Sequence, residues 1–281
     1  MNKISRKLTL ACVITALIIA LDPSPARAIT NGFPDTNNRF SNVGAVLAVS
    51  ADGSETFQVC SGTLISPTVF LTVAHCAHYF MQFLEPEGFS LFVSFGNPIP
   101  IADRTDKSGL IPISEIIPNP EYVFSGDRVF NPHHRADSGD IAVYILPAVV
   151  GITPATLPTL GLLDQLGAKN GLHDAIFTSV GYGSLDRFGT RPDPMPRMFA
   201  FSTFSALKVT ILQVSINPAL NNGGACFGDS GGPNFLQVNG TQILTSIASV
   251  EGDHVCRATS GAYRLDTPSA RDFLKDFVAL P

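Results

Sequence analysis

The chain has 281 residues, with 18 Lys or Arg, 23 Asp or Glu, and a formal net charge of −5 at pH 7. No basic run occurs in it. Because phosphate binding depends on clustered Lys and Arg, the composition argues against a nucleic-acid partner. The length is enough to bury a substantial core in one compact unit or in two small subdomains.

The first 28 residues have the pattern of a secretory signal peptide. Three basic residues precede an apolar run over residues 8–21, and a small-x-small cleavage signal follows at residues 26–28. A membrane anchor is the alternative, but the run is shorter than the about 20 residues that span a bilayer. We therefore expect cleavage after Ala28 and a secreted, periplasmic or extracellular protein with no membrane partner.

Four cysteines remain after the expected cleavage: Cys60, Cys76, Cys226 and Cys256. An even number of cysteines in an exported chain predicts two disulfides. Three pairings are possible, and joining each cysteine to its nearer neighbour closes two local loops. A zinc site is the alternative, but no cysteine pair has the short spacing that such sites favour.

Short β-type segments separated by turns fill the chain after residue 28. Many short strands without alternating long helices predict an all-β barrel or sandwich. A C-terminal helix is expected over residues 266–281, because Thr267-Pro268 is a start signal and apolar residues share one face after it. The predicted strands are 43–49, 62–65, 69–73, 91–95, 141–146, 175–180, 208–216, 243–250 and 262–265.

Two regions rich in Pro, Asp and Ser, residues 97–138 and 184–198, are predicted surface loops. A third segment, residues 147–160, contains three prolines and is the candidate linker. The predicted division is therefore an N-terminal half over residues 29–150 and a C-terminal half over residues 151–265.

Residues 228–233, Gly-Asp-Ser-Gly-Gly-Pro, have a composition that suits neither a core strand nor ordinary surface. Three glycines and a proline impose an unusual backbone path, and this path presents the hydroxyl of Ser230. A serine hydroxyl is a poor nucleophile until a neighbouring base takes its proton. The turn therefore predicts a histidine and an orienting group elsewhere in the chain.

His75 and Asp140 are the candidates for these two roles. His75 ends an apolar run, LTVAHC, beside a cysteine, and Asp140 leads into the apolar run of DIAV. A carboxylate at that position is expected to be partly buried, and a buried charge needs a partner. Alone, each residue would more often be structural, the histidine ending a strand and the aspartate in a turn.

Together, LTVAHC, DIAV and GDSGGP, in that chain order, resemble the chymotrypsin/trypsin family of serine proteases over nearly the whole chain after residue 28. The resemblance implies that Ser230 attacks the scissile carbonyl. It implies that His75 takes the serine proton and passes it to the leaving amine, and that Asp140 holds His75 in the right tautomer. The backbone N–H groups of Gly228 and Ser230 would form the oxyanion hole.

The resemblance also implies the fold: all-β, with two Greek-key β-barrels, the active site in the cleft between them, and a C-terminal helix. His75 and Asp140 would belong to the N-terminal barrel and Ser230 to the C-terminal one. The implied disulfides are Cys60–Cys76 and Cys226–Cys256. In addition, Ser249 would lie beside the catalytic aspartate, Ser249, Val250 and Glu251 would pair with the substrate backbone, and Gly181-Tyr182-Gly183 would replace a Gly-Trp-Gly sequence.

The sequence Ile29-Thr30-Asn31-Gly32 resembles the start of the mature family members. There a freed isoleucine ammonium pairs with the aspartate before the nucleophile, which is Asp229 here. The predicted signal cleavage falls just before Ile29. We therefore hypothesise that export itself creates the activating terminus.

The residues that would form the primary specificity pocket depart from the trypsin pattern. Gly224 occupies the base, where trypsin-like members carry aspartate, and Gly261 and Ala262 suggest an open deep wall. Glu251 falls on the rim and could narrow the pocket or attract a basic side chain, with Arg257 of opposite charge nearby. We expect a preference for apolar or aromatic P1 residues.

The expected partners are protein or peptide substrates and a protein inhibitor, the expected oligomeric state is a monomer, and no cofactor is expected. His133, His134 and Asp137 could form a metal site, but adjacent histidines point in different directions, so no metal is predicted. The sequence Asn239-Gly240-Thr241 fits a glycosylation motif whose use depends on the host.

Two other functions were weighed. An esterase fits Gly-x-Ser-x-Gly, but that motif needs an acid and a histidine after the serine, and only His254 follows Ser230. A catalytically silent binding protein on the protease fold is the second alternative. The intact set of candidate residues favours an enzyme, although the loops over 97–138 or 184–198 could cover the cleft.

Overall fold

The computed structural model describes residues 29–101, 107–122, 137–149, 151–185, 193–251 and 255–281. The predicted signal peptide, His133, His134 and His254 lie outside these residues. The strands in chain order are β1 Phe33–Pro34, β2 Val43–Val49, β3 Thr56–Ser66, β4 Val69–Thr72, β5 Ser90–Ser94, β6 Ile111–Pro112, β7 Glu115–Pro118, β8 Ala142–Ile145, β9 Ile176–Gly181, β10 Met198–Leu207, β11 Ile211–Ser215, β12 Pro233–Val238, β13 Thr241–Glu251 and β14 Thr259–Arg264.

The strands form two antiparallel sheets of seven strands each. The N-terminal sheet has the order β6-β5-β2-β3-β4-β8-β7, and the C-terminal sheet has the order β1-β10-β11-β14-β13-β12-β9. An additional pairing of β9 with β10 closes the C-terminal sheet into a barrel. The predicted all-β fold with two barrel-like sheets is therefore confirmed, and the esterase alternative, which needs alternating strands and helices, does not fit it.

β2 is an interior strand of the N-terminal sheet, between β5 and β3, and it is buried along its whole length. Its sequence, VGAVLAV, is apolar on both faces, as expected for a strand covered on both sides. β1 lies in the other sheet, where Phe33 pairs with Phe199 of β10. The chain after residue 28 thus begins on the C-terminal sheet before it builds the N-terminal one.

The helices are short: α1 Ala74–Tyr79, a π-helical turn Phe80–Leu84, α2 Leu162–Ala168, a 3₁₀ turn Pro218–Leu220 and α3 Pro268–Leu274. Of these, the sequence analysis predicted only the C-terminal helix, because helices of six or seven residues are too short to show an apolar period. α3 is also shorter than the predicted 266–281. The Thr267 side chain accepts from the Ala270 N–H (3.3 Å) at its start, as in an N-cap. No helix in the described ranges is long and apolar enough to cross a membrane.

Three strands of the C-terminal sheet, β1, β10 and β12, were missed by the sequence analysis. β10 begins within the predicted loop 184–198, just after three prolines, and β12 begins at Pro233 in the serine motif. The predicted loop 97–138 likewise contains β6 and β7. In each case Pro or Gly within or beside the strand conceals the strand pattern.

The largest apolar cluster draws on both sheets and on α3, which contributes Ala270 and Leu274. The predicted linker also touches both sheets. The Ala155 N–H donates to the Leu64 carbonyl (2.8 Å) and the Leu244 N–H donates to the Thr156 carbonyl (2.9 Å). The domain boundary at residue 150 remains a prediction.

A buried ion pair joins Asp35, directly after β1, to Arg197, directly before β10. Arg197 Nε lies 3.0 Å from Asp35 Oδ2, and both side chains are 0% exposed. Arg197 Nη1 also donates to the Val43 carbonyl and to the Tyr182 hydroxyl, each at 3.0 Å. The Tyr182 hydroxyl in turn donates to the Gly96 carbonyl (2.7 Å). The pair is therefore hydrogen-bonded to backbone and side chains from both sheets.

Replacing Arg197 with Met is expected to lower the free energy of unfolding by about 3–5 kcal/mol, because it leaves the Asp35 carboxylate buried without its cation. Urea unfolding of the variant and of wild type measures this difference. Lys275→Met is the matched control. It breaks an exposed ion pair with Asp272 (2.9 Å) and is expected to leave stability nearly unchanged, because water screens the two charges. Equal effects in the two variants would contradict the structural role of the buried pair.

Candidate active site

His75 lies at the start of α1, directly after β4. Its ring Nδ1 is 2.9 Å from Asp140 Oδ2, and its backbone N–H donates to Asp140 Oδ1, also at 2.9 Å. Because a carboxylate accepts, the ring proton lies on Nδ1 and Nε2 is left as a proton acceptor. The neighbouring Cys76 is joined to Cys60 of β3, which restrains the backbone beside the histidine.

Asp140 lies just ahead of β8 and is 1% exposed. The Ser249 hydroxyl donates to its Oδ2 at 2.5 Å, as the resemblance implied. Burial by itself would raise the pKa of Asp140. The charge and hydrogen bonds of His75 and the hydrogen bond of Ser249 outweigh burial, so the pKa of Asp140 lies below its ordinary value. The carboxylate therefore stays ionised and holds the imidazole in place.

Ser249 reaches Asp140 because β13 has an irregularity there. In the pairing with β14, Ala248 lies opposite Ala262 and Val250 lies opposite Gly261, so Ser249 is the extra residue. Such a bulge redirects a side chain out of the regular alternation. The strand thus orients the C-terminal barrel's hydroxyl toward the N-terminal barrel's carboxylate.

Ser230 is held through its backbone. Its carbonyl accepts from the Ser61 N–H at 2.9 Å. A Cβ atom on the next residue, Gly231, would lie 2.1 Å from Thr72 Oγ1 and 2.4 Å from the Ser61 carbonyl oxygen, and the φ of Gly231 is +81°. Only glycine allows the turn to approach the N-terminal sheet this closely.

The structure brings His75 and Asp140 into direct contact. It also joins the Ser230 backbone to Ser61, the residue after Cys60, whose disulfide partner Cys76 is next to His75. Among the described residues the Ser230 hydroxyl makes no hydrogen bond. The hydrogen bond between a nucleophilic serine and its histidine is often long or poorly aligned until substrate binds.

The N–H groups of Gly228 and Ser230 donate to no acceptor within the described part of the chain. The peptide before Gly228 is fixed, since the Phe227 carbonyl accepts from the Ser184 N–H at 2.7 Å. In a trans peptide the C=O and N–H point in opposite directions, so the Gly228 N–H points away from Ser184. The two N–H groups therefore remain the candidates for the predicted oxyanion hole.

Asp229 is buried behind the serine turn. Its carboxylate accepts from the N–H groups of Gly183 (2.7 Å) and Cys226 (2.9 Å). A Cβ on Gly181 would lie 2.2 Å from Asp229 Oδ1, and one on Gly183 would lie 2.6 Å from the carboxylate. The two glycines around Tyr182 are therefore needed to make room for the Asp229 carboxylate.

Ile29 is buried against Met198 and Ala200. The next residue, Thr30, exchanges two backbone hydrogen bonds with Gly224, at 3.0 and 3.1 Å. In the uncleaved chain Ile29 carries an amide rather than an ammonium. The ion pair with Asp229 therefore remains a prediction for the cleaved form.

Both implied disulfides are present, Cys60–Cys76 and Cys226–Cys256. The ligand atoms of Cys60, His75 and Cys76 lie within 4.8 Å of one another, as in a metal site. Since both sulfurs are in a disulfide, neither is available as a thiolate, the form that binds metal.

Among the predicted pocket residues, Gly224 lies against a side chain that the sequence analysis did not name. A Cβ on Gly224 would lie 2.4 Å from Ile216 Cγ2. Gly261 pairs with Gln213 and Val250 in the sheet. The side chains of Val250 and Glu251 lie outside the described structure.

Sequence reasoning also missed two polar residues of β3, Gln58 and Ser61, which reach the serine turn. The Gly228 carbonyl accepts from Gln58 Nε2 (2.7 Å) and from Ser61 Oγ (3.1 Å). The sequence feature that could have indicated them is the presence of two polar side chains in the otherwise largely apolar stretch QVCSGTLI.

Known proteins resemble this chain in both sequence and fold. CLIP domain-containing serine protease B15 of Anopheles gambiae is 26% identical over 224 residues, which cover 73% of this chain and 57% of that relative's length. The chain thus spans little more than half of that relative. Among solved structures, HL collagenase matches with a TM-score of 0.58 and 20% identity, over 88% of this chain and 97% of that chain, and shows the fold alone.

A model of the trypsin family matches residues 29–270. The match begins at Ile29, contains His75, Asp140 and Ser230, and ends within α3, so it covers both sheets. The chain therefore belongs to the trypsin family of serine proteases.

Proposed function

We propose that this chain is a secreted serine endopeptidase that cleaves peptide bonds through Ser230, His75 and Asp140. The observation that carries the proposal is the contact between His75 and the buried Asp140 carboxylate, in which Nδ1 lies 2.9 Å from Oδ2, together with a glycine-rich turn that presents Ser230. Its substrates are proteins or peptides and it acts as a monomer. A protein inhibitor that covers the cleft would be a further partner.

In the proposed acylation, His75 Nε2 takes the proton of Ser230 Oγ as this oxygen attacks the scissile carbonyl. The carbonyl oxygen becomes an oxyanion that accepts from the N–H groups of Gly228 and Ser230. The imidazolium, stabilised by Asp140, then gives its proton to the leaving amine, and the acyl group remains on Ser230. In deacylation, His75 activates a water by the same route and the acid is released.

Replacing Ser230 with Ala is expected to abolish peptide cleavage, and replacing Asp140 with Asn to lower kcat about 10,000-fold, because the wrong histidine tautomer is then favoured. A fluorogenic peptide assay and labelling of Ser230 by a fluorophosphonate probe measure these losses.

Asp174→Asn is the matched control for Asp140→Asn. Asp174 also contacts a histidine Nδ1, that of His173, at 2.8 Å, but its side chain is 93% exposed and distant in sequence from the site. The control variant is expected to keep wild-type kcat. If wild-type protein that begins at Ile29 neither cleaves peptides nor reacts with the probe, the chain is a binding protein on the protease fold.

We further propose an apolar or aromatic P1 preference. Gly224, at the proposed base of the pocket, has no charged side chain. The Cγ2 methyl group of Ile216 lies 2.4 Å from the position that a Cβ atom at residue 224 would take. Both features favour an apolar P1 side chain, which would gain contacts and lose water in such a pocket.

Replacing Gly224 with Asp alone is therefore not expected to confer cleavage after Arg or Lys, because its Cβ would meet Ile216 Cγ2 at 2.4 Å. The double variant Gly224→Asp with Ile216→Ala is expected to cleave after Arg or Lys, since it has room for the carboxylate. A peptide library varied at P1 compares the two variants with wild type. Basic specificity in the single variant would show that Ile216 does not limit the pocket.

We propose that signal cleavage after Ala28 frees Ile29, whose ammonium then pairs with Asp229 and orders the oxyanion hole. Active enzyme from culture medium is expected to begin at Ile29 by N-terminal sequencing. A version that retains one additional residue before Ile29 is expected to be far less active, because its ammonium is displaced from the buried site. Full activity of that version would exclude this activation route.

A further inference from the structure

Gln58 reaches across from β3 to the serine turn of the other sheet. Its Nε2 donates to the Gly228 carbonyl at 2.7 Å and to the Cys60 carbonyl at 2.9 Å. The residue is 7% exposed, so water screens these bonds little. Because both amide hydrogens are used, the orientation of the amide group is defined and Oε1 is turned away from the two carbonyls.

This arrangement has a cost in stability. Gln58 Oε1 is buried and has no hydrogen-bond partner among the described residues. A buried acceptor left without a partner costs about 1–3 kcal/mol. An apolar side chain of the same size would avoid that cost, so the stability of β3 alone does not explain a glutamine here.

Ser61 supplies a second donor to the same oxygen, at 3.1 Å. Its hydroxyl oxygen also accepts from the Tyr182 N–H (3.1 Å), so the Ser61 side chain is itself held in place. A carbonyl oxygen has two lone pairs, and both lone pairs of Gly228 are thus engaged by side chains of the N-terminal sheet.

Gly228 lies between two fixed peptide groups. The Phe227 carbonyl on one side is held by the Ser184 N–H, and the Gly228 carbonyl on the other side is held by Gln58 and Ser61. The φ of Gly228 is +87°, in a region that only glycine adopts readily, and a glycine without these bonds could turn its N–H away.

We propose that Gln58 is a positioning residue that keeps the Gly228 N–H directed at the substrate carbonyl oxygen. This rests on the proposed function, in which that N–H stabilises the oxyanion. Donors that are already oriented stabilise the developing charge without reorganisation during the reaction. Since the oxyanion exists only in the transition state and intermediate, loss of Gln58 lowers kcat and leaves ground-state binding of substrate largely unchanged.

The test is Gln58→Met, which keeps the length and bulk of the side chain but cannot donate. We expect kcat for a peptide amide to fall about tenfold with KM changed less than about twofold. A peptide trifluoromethyl ketone forms an oxyanion when Ser230 adds to its carbonyl, so its affinity is expected to fall by about the same factor. Ser61→Ala in the Gln58→Met background is expected to lower kcat further.

Thr245→Val is the matched control. It also removes a buried side-chain donor from a backbone carbonyl, that of Asn234 (2.9 Å), but it lies in the core of the C-terminal sheet. Urea unfolding is expected to show comparable stability for both variants, with kcat and ketone affinity unchanged in the control. If Gln58→Met does not fold, Ser61→Ala alone is measured, with a smaller fall in kcat and ketone affinity expected.

A Gln58→Met variant that keeps wild-type kcat and ketone affinity would overturn the proposal. A rise in KM without a fall in kcat would do the same, because it would place Gln58 in substrate binding. These outcomes are distinct from failure of the proposed function, in which wild-type protein itself lacks cleavage and Ser230 does not react with the fluorophosphonate probe.

Discussion

The hydrogen bond from the Ser61 N–H to the Ser230 carbonyl (2.9 Å) joins the two sheets at the candidate active site. His75 and Asp140 belong to the N-terminal sheet, whereas Ser230 lies in the turn before β12 of the other sheet. Because the candidate residues lie on two sheets, the proposed reaction depends on the relative position of these sheets. A small displacement of the reacting atoms lowers the reaction rate strongly. A bond between two backbone groups leaves no side-chain freedom, and Gly231 allows the close approach that this bond requires.

Further polar contacts between the sheets surround this one. Ser249 donates to Asp140, Arg197 Nη1 donates to the Val43 carbonyl of β2 at 3.0 Å, and the Tyr263 hydroxyl donates to Asp137 Oδ1 at 3.0 Å. Each of these contacts is buried or partly buried, where hydrogen bonds are strong and unpaired groups are costly. The largest apolar cluster packs the two sheets together, and these directional polar contacts fix their relative position and so that of the candidate catalytic groups.

Elements with a strong local pattern were predicted well. β2 has the predicted bounds, residues 43–49, because a strand buried on both faces is a continuous apolar run. The serine turn and its two partners were also recognisable as candidates, because a displayed nucleophile needs glycines and a base, and a buried carboxylate needs a partner. α1 and β10 were not, since α1 is too short to show a period and β10 follows a proline-rich segment.

The sequence by itself determined the family, the all-β class and the candidate triad, because each of these depends on residue types at short spacing or in a set chain order. The two disulfide pairings followed only from the resemblance to that family. Only the tertiary structure placed β1 on the C-terminal sheet, paired Arg197 with Asp35 and brought Gln58 to the Gly228 carbonyl. The residues of this last contact are 170 positions apart. No local sequence pattern predicts such a contact, because it exists only where the two sheets pack against each other.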